Sequence, residues 1–154
     1  MLANLNSLVW ISSLRQKLQG QHLNWFVVEQ LPLISPAVYE QHLGSATIGE
    51  FVRNEVLHLS YTALDLTAFA HDLGHDGPPF VWDAEDRRHR MARLDALYFN
   101  LYGLSREEAD YVLGTFPIVR EQDEAAFGRF RTRDLVLGYM NALAAGDTTS
   151  VLAL

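Results

Sequence analysis

Two histidine–aspartate pairs lie four residues apart in the stretch AFAHDLGHDGPPF, which covers residues 68–80. Imidazole nitrogens and carboxylate oxygens are common ligands of catalytic metals, and a pair of metals can polarise a phosphate ester and supply a hydroxide. His71 and Asp72, together with His42 upstream and Asp134 on a later predicted helix, are therefore candidate ligands. This interpretation predicts a metal-dependent phosphohydrolase.

The segment HDLGH resembles the signature of the HD-type phosphohydrolases. The alternative is that His71 and Asp72 form the exposed last turn of a helix, where a histidine interacts favourably with the helix dipole. Two glycines and two prolines in GHDGPPF cannot continue a helix, and Asp76 before Gly77 is typical of a turn. Because a five-residue motif also recurs by chance, the sequence favours the turn over the metal site.

The spacing of apolar residues predicts the elements that would hold these side chains. Helical periodicity runs through most of the chain, with the longest stripe over residues 48–73. Ser105 with Glu108 has the pattern of a capping box, and Asp83 is placed to cap another helix. Aromatic and β-branched residues over 24–29 predict a short strand. The expected fold class is mainly α, a bundle-like helical domain with an α+β part at the N-terminus.

Prolines and glycines set the remaining boundaries. Gly20 breaks the first helix, Ser35 with Pro36 starts another, and Pro117 closes the helix that the capping box begins. A final helix is expected from about Thr132. A single strand has nowhere to send its backbone hydrogen bonds, so the N-terminal unit looks incomplete.

Composition limits the classes of function. The 154 residues include no cysteine, which excludes disulfides and thiolate ligands and favours a cytoplasmic location. No apolar run approaches the length of a membrane span, so we expect no membrane partner. The net charge of −7 argues against an autonomous nucleic-acid-binding protein, because phosphates require a basic surface. The charge does not exclude an acidic part of a larger DNA enzyme.

Most of the chain, from about Leu2 to Leu143, resembles the C-terminal region of large type II restriction–modification and phage-defence enzymes, the adenine-specific DNA methyltransferases. The landmarks are YTALDL, DLGHDGPPF, a WD pair, LDALYFNLYGLSREEADYVLGTFPIV and FGRFRTRDLVL, in that order. Upstream, LANLNSLVWISSLRQKLQGQHLNWFVVEQLPL is similar to the end of the family's target-recognition region. In that family the positions of His71 and His75 often carry other residues, which argues against metal ligation.

The resemblance implies three parts. Residues 1–34 would end a target-recognition unit, residues 35–146 would form a helical C-terminal domain, and residues 147–154 would be a frayed tail. The parent enzyme would transfer a methyl group from S-adenosylmethionine to N6 of an adenine that is flipped out of duplex DNA. The family's Asn-Pro-Pro-aromatic motif and glycine-rich cofactor loop are missing from this sequence, in which Pro78 and Pro79 follow a glycine.

We therefore expect a non-catalytic segment that binds no cofactor itself. Its partners would be an upstream methyltransferase domain and, through the parent enzyme, DNA. An HD-type phosphohydrolase and a helical protein-interaction module without a DNA role remain alternatives.

Five residues of the stretch RQKLQGQHLN are candidate DNA contacts. Arg15 and Lys17 are suited to phosphates, whereas Gln21, His22 and Asn24 are suited to base edges or to the DNA backbone. The alternative for all five is a solvated helix end.

Two further arginine clusters, within residues 87–93 and 129–133, are candidates of lower rank. Acidic residues interleave with the first cluster, which is typical of ion pairs within a helix. The second cluster spans the predicted start of the last helix and can contact a neighbouring domain or a phosphate. A solvated surface is the alternative there.

Overall fold

A computed structural model describes residues 1–18 and 22–153, and this part of the chain is mainly helical, as predicted. None of its helices is long and apolar enough to cross a bilayer. Its α-helices are α1 (Leu2–Leu5), α2 (Leu8–Lys17), α3 (Trp25–Val28), α4 (Ile48–Ser60), α5 (Thr67–Asp72), α6 (Ala84–Leu101), α7 (Arg106–Gly114), α8 (Pro117–Phe127) and α9 (Arg131–Ala144). Two 3-10 turns, Pro36–Glu40 and Leu64–Leu66, and an antiparallel hairpin of β1 (His42–Leu43) and β2 (Ala46–Thr47) complete the described elements.

The centre of the fold is the pair α6 and α9, which pack along each other. Tyr98 and Phe99 of α6 and Leu135 and Val136 of α9 are fully buried between the helices. Burying side chains of this size stabilises a fold by about 1.5–3 kcal/mol each. Helices α2, α4 and α7 pack around this pair, and Val9 of α2 belongs to the same apolar core. The N-terminal segment is therefore seated on the helical domain.

Local capping signals in the sequence are confirmed. Asp83 accepts a hydrogen bond of 2.7 Å from a backbone N–H in the first turn of α6. Ser105 and Glu108 form the complete capping box of α7, and Thr47 with Glu50 forms a second one at the start of α4. Each box satisfies backbone donors that a helix cannot satisfy internally.

The strand predicted over residues 24–29 is wrong, because this segment forms the short helix α3. Its backbone groups bond locally: Val27 N–H donates to the Asn24 carbonyl at 2.9 Å and Glu29 N–H donates to the Trp25 carbonyl at 3.0 Å. A strand without a partner would leave these groups unpaired, so the helical turn is the conformation that satisfies them. The inference that the N-terminal unit is incomplete depended on a strand without a partner, so it loses its basis.

The long helix predicted over residues 48–73 is divided. Helix α4 ends at Ser60, and Tyr61 leaves helical geometry with ψ of 77°. The Tyr61 side chain is almost fully buried, and its carbonyl accepts a hydrogen bond from Phe80 N–H at 2.9 Å. These long-range contacts stabilise the break, although the apolar periodicity continues through it.

Pro117 does not close a helix but occupies the first position of α8, which the sequence analysis missed. A proline at this position is favourable because its ring presets the helical φ and the first N–H of a helix has no partner. Helix α7 ends at Gly114, and α8 ends at Gly128, whose φ is +72°. The final helix begins at Arg131, one residue before the predicted start. Ser35 and Pro36 begin a 3-10 turn rather than an α-helix.

Residues 147–152, which belong to the segment predicted to be a frayed tail, make specific contacts in the structure. The carboxylate of Asp147 accepts hydrogen bonds from two backbone N–H groups that follow it, each at 3.0 Å. Leu152 donates its backbone N–H to the Tyr139 hydroxyl at 3.3 Å and packs its side chain against Gly138. The tail also passes the hairpin turn so closely that a Cβ on Gly44 would lie 2.5 Å from the carbonyl oxygen of residue 146.

Candidate nucleic-acid interface

Three of the candidate DNA contacts that the sequence predicts, Lys17, His22 and Asn24, line one open cavity of about 510 Å³. The cavity has eight lining residues, of which five are polar and none is acidic. Besides the three candidate contacts, they are Gln16, Leu18, Phe26, Val27 and Gln30. The structure therefore brings together three of the five candidate DNA contacts. Gln21, the fourth candidate, and Gly20, the predicted helix break, lie outside the described residues.

The two walls of this cavity, which we call the Lys17 cavity, are held in different ways. Helix α2 supplies one wall from its last turn and is anchored to the core by its buried residues Val9 and Trp10. Helix α3 supplies the other wall, and none of its four residues is buried. One wall is thus fixed by tertiary packing, whereas the other depends on local backbone hydrogen bonds.

Arg15, the fifth candidate, points elsewhere. Its guanidinium lies over the Phe116 ring, 4.3 Å from the ring centroid, and donates to the Thr115 carbonyl at 3.4 Å. A guanidinium above an aromatic face is attracted by the ring quadrupole. Arg15 therefore connects α2 to the junction of α7 and α8 and does not line the cavity.

Charge is segregated along the chain in a way that the sequence analysis missed. No aspartate or glutamate precedes Glu29, while Arg15 and Lys17 both do. Two of the 12 basic residues and none of the 19 acidic residues thus lie in residues 1–28, which leaves 10 basic and 19 acidic residues for the rest. Lys17, His22 and Asn24 of the Lys17 cavity lie in this acid-free stretch, and the exposed Glu29 follows directly after it.

Two large aromatic side chains of α3 were also missed: Phe26 lines the cavity, and Trp25 precedes it in the chain. Trp25 is 73% exposed and Phe26 is 71% exposed, and Leu23 next to them is exposed as well. Their aromatic character favoured a strand or the core when only the sequence was considered. The signal that identifies them is structural, since α3 has no side chain in the core.

The alternative metal ligands belong to different parts of the fold. His71 is in the last turn of α5 beside Asp72, and its Nδ1 lies 2.6 Å from the exposed carboxylate of Asp76. Asp134 is in the first turn of α9, and His42 is in β1. Within residues 1–18 and 22–153, no three His, Cys, Asp or Glu side chains are grouped so that they could hold a metal ion. The prediction that His71 and Asp72 form the last turn of a helix is confirmed.

The arginines of α6 are engaged in the protein itself. Arg90 and Arg93 approach the carboxylate of Glu55 at 3.2 and 3.4 Å, and Glu55 is 2% exposed. Burial raises the pKa of Glu55, and the two guanidinium groups oppose that rise. Arg87 donates to a backbone carbonyl of α4 and stacks on Trp82. The arginines of this cluster connect α6 to α4, and some of their ion pairs lie within α6, as predicted.

The arginines of the cluster at 129–133 also form ion pairs within the protein. Arg131 pairs with Glu85 of α6, and Arg133 pairs with Asp110 of α7. Arg129 lies 4.0 Å from Asp134. These contacts orient the start of α9 against α6 and α7, an engagement within the protein that the alternative of a solvated surface did not include.

Two segments of the described structure differ from the motifs that the family uses to hold S-adenosylmethionine and adenine. The family's cofactor loop is a glycine-rich turn after a strand, but β2 runs directly into α4 with Thr47 as the capping residue. Pro78 and Pro79 follow Gly77 in an irregular turn, without the asparagine that would grip an adenine amine.

Comparisons with other proteins do not assign the site. No protein-family model matches the chain, and comparisons with curated proteins and with solved structures gave no significant match. The function has to be argued from the sequence resemblance and from the geometry of the Lys17 cavity.

Proposed function

We propose that this chain is the non-catalytic C-terminal part of an S-adenosylmethionine-dependent, adenine-N6 DNA methyltransferase of a restriction–modification or phage-defence system. In this proposal the parent enzyme is cytoplasmic, and an upstream domain binds the cofactor and carries out methyl transfer. The observation that carries the DNA contact is the clustering of Lys17, His22 and Asn24 around one polar cavity, in the part of the chain without acidic residues.

Each of these three side chains has a distinct role in the proposal. The ammonium group of Lys17 contacts a phosphate, which positions the protein but reads no sequence. His22 and Asn24 present a ring nitrogen and an amide, which can donate to or accept from base edges. The lining itself contains no carboxylate, and the nearest acidic residue in sequence is the exposed Glu29 after α3.

The helical remainder acts as the support of this edge. Helix α2 is held by its packing against α6 and α7, and the N-terminal segment is joined to α6 by side-chain bonds as well. Asn4 donates to the Tyr102 hydroxyl at 2.8 Å, and the same hydroxyl donates to the Pro32 carbonyl at 2.9 Å. A rigid support of this kind improves recognition, since positions that are fixed before binding lose less conformational entropy on binding.

The test uses the longest reading frame that contains this sequence, expressed in a host that lacks adenine methylation. We expect N6-methyladenine at one defined DNA sequence when host DNA is sequenced by a method that detects the modification. A variant without residues 35–146 should lose the mark, because the recognition edge would lose its support. Absence of the modified base with the intact frame would contradict the proposal.

The contact residues are tested in the same system. Asn24→Ala should change the set of methylated sites, because base contacts specify, whereas Lys17→Ala should lower methylation at all sites alike. Glu121→Ala, on the exposed surface of α8, is a control that should change neither. Unaltered methylation in both test variants would remove the DNA contact from the proposal.

A further inference from the structure

We propose that the protonation state of His89 controls the attachment of the C-terminal tail: the neutral imidazole holds Leu152 on α9, and a proton on its Nδ1 weakens that hold. His89 is 5% exposed, its Nδ1 lies 2.7 Å from the Tyr139 hydroxyl and its Nε2 lies 3.2 Å from the carboxylate of Glu85. The same hydroxyl accepts the backbone N–H of Leu152 at 3.3 Å. The proposal is independent of the DNA contact.

The partners of the imidazole fix the direction of each hydrogen bond. Arg131 and Arg88 pair with the Glu85 carboxylate, and the bond from Arg131 lowers its pKa, so this group is ionised and can only accept. The imidazole Nε2 therefore carries a hydrogen and donates it to Glu85. In the neutral ring Nδ1 is then the acceptor, so the Tyr139 hydroxyl donates to Nδ1. The phenolic oxygen is left to accept the N–H of Leu152.

A proton on Nδ1 reverses the bond to Tyr139. The new N–H donates to the phenolic oxygen and competes there with the N–H of Leu152. Within residues 1–18 and 22–153, the Tyr139 hydroxyl has no hydrogen-bond partner besides His89 and Leu152, so its own hydrogen loses its acceptor. Tyr139 is 1% exposed, and a buried donor without an acceptor is unfavourable. Protonation therefore weakens the attachment of Leu152.

The charged side chains around His89 and Tyr139 are paired with one another. They are Glu85, Arg88 and Arg93 of α6, Arg131 of α9 and Glu55 of α4. Two guanidinium groups already balance the carboxylate that the imidazole contacts, so this carboxylate does not need a charged imidazole as its counter-ion. The proton on His89 is thus the variable charge of the group.

The hold on Leu152 matters because its side chain covers part of α9. A Cβ on Gly138 would lie 2.6 Å from a terminal methyl carbon of Leu152, so the two residues are in close contact. The preceding turn is held separately, since the Asp147 carboxylate accepts the N–H groups of Thr149 and Ser150. Protonation of His89 should therefore free the chain after Ser150 and uncover the Gly138 side of α9.

Nuclear magnetic resonance of the whole 154-residue chain tests this inference. The ring-nitrogen chemical shifts of His89 report its tautomer and its charge, and hydrogen exchange of the Leu152 amide reports the attachment. The neutral ring should carry its hydrogen on Nε2. When the spectra show a charged ring, the protection of Leu152, relative to an unstructured peptide at the same pH, should fall roughly tenfold. Ser150 should keep its protection, because Asp147 holds it.

Tyr139→Phe keeps the ring in the core and removes the hydroxyl. It should lower the protection of Leu152 while His89 is neutral and abolish the dependence on its charge. Tyr111→Phe is the matched control, since Tyr111 is 77% exposed on α7, and it should leave that dependence unchanged.

Three results on the unmodified chain would each overturn the inference, even if Tyr139→Phe does not fold. They are a neutral ring with its hydrogen on Nδ1, equal protection of Leu152 in both charge states, and a His89 that stays neutral at every pH at which the chain is folded. Persistence of the dependence in a folded Tyr139→Phe variant would overturn it as well.

Discussion

The carboxylate of Asp95 accepts a hydrogen bond of 2.7 Å from the backbone N–H of Leu8, which is 87 residues away in sequence. Ser7, the N-cap of α2, makes no side-chain capping bond, so a residue of α6 satisfies a donor that the local sequence leaves open. This bond ties the start of α2 to the central helix α6. Burial raises the pKa of Asp95 to about 7, and the Leu8 N–H opposes that rise.

The raised pKa predicts a pH dependence of stability. The folded state favours the protonated carboxyl, so the contribution of Asp95 is fully present below its ordinary pKa of 3.8 and is lost as the pH rises through about 7. Asp95→Asn should remove this loss. The free energy of unfolding of the variant, relative to that of the unmodified chain, should therefore increase by up to about 4 kcal/mol between pH 4 and pH 8. Urea denaturation across that range measures the difference.

Asp147→Asn is a control of opposite sign for this measurement. Hydrogen bonds from Ser150 and Thr149 lower the pKa of Asp147 to about 2, so its contribution is present above the ordinary pKa and is lost as the pH falls through about 2. The difference in free energy of unfolding between Asp147→Asn and the unmodified chain should therefore stay constant between pH 5 and pH 8. Parallel stability profiles for Asp95→Asn and the unmodified chain would contradict the assignment of Asp95.

The two basic residues of α2 should differ in their effect on DNA binding. Lys17 lines the cavity, and Lys17→Gln should reduce the slope of log affinity against log salt by about 0.9, the value for one phosphate contact. Arg15→Gln should leave the slope nearly unchanged, because Arg15 is engaged with Phe116. Anisotropy titrations at several salt concentrations give the slopes, and equal changes in both variants would contradict this division of roles.

Glu55 should be the most sensitive charged position in the fold. Glu55→Gln leaves Arg90 and Arg93 without their buried counter-charge, and removal of one partner from such a group costs about 3 kcal/mol or more. Glu124→Gln, which breaks an exposed pair with Arg120, should cost less than about 1 kcal/mol. Chemical denaturation at neutral pH compares the two variants; similar losses would show that the Glu55 group is solvated.

The isolated chain should not bind S-adenosylmethionine. The strand β2 leads directly into α4, so in the described part of the chain this strand is not followed by a glycine-rich turn of the kind that holds the cofactor. Isothermal titration calorimetry should show no binding heat, with the longer reading frame as the positive control. Saturable binding at micromolar concentration would disprove the assignment of this chain as a non-catalytic part.

Local features of the fold could be predicted from the sequence, whereas features that depend on distant partners could not. Asp83 and the Ser105–Glu108 box act within one helical turn, so their residue types suffice to identify them. The break at Tyr61 depends on a bond to Phe80, and helical periodicity carries no information about that bond. Helix α3 was mistaken for a strand because β propensity describes side chains and not the presence of a pairing partner.

The same distinction applies to the candidate site. Lys17, His22 and Asn24 are close in sequence, so their common location follows from the chain itself. Arg15 is equally close in sequence, but its direction is set by Phe116, about 100 residues away. The exposure of Trp25 could not be predicted, because an aromatic residue near a helix end is more often buried.

The close approach of Gly44 and Gly146 determines where the chain can be cut or extended. A protein shortened after Ala145 would lose Leu152, which covers Gly138 and bonds to Tyr139, and would uncover one side of α9. Any experiment on this protein should therefore keep the tail through Leu152, and an exchange of Gly44 for a larger residue would force the hairpin away from the tail.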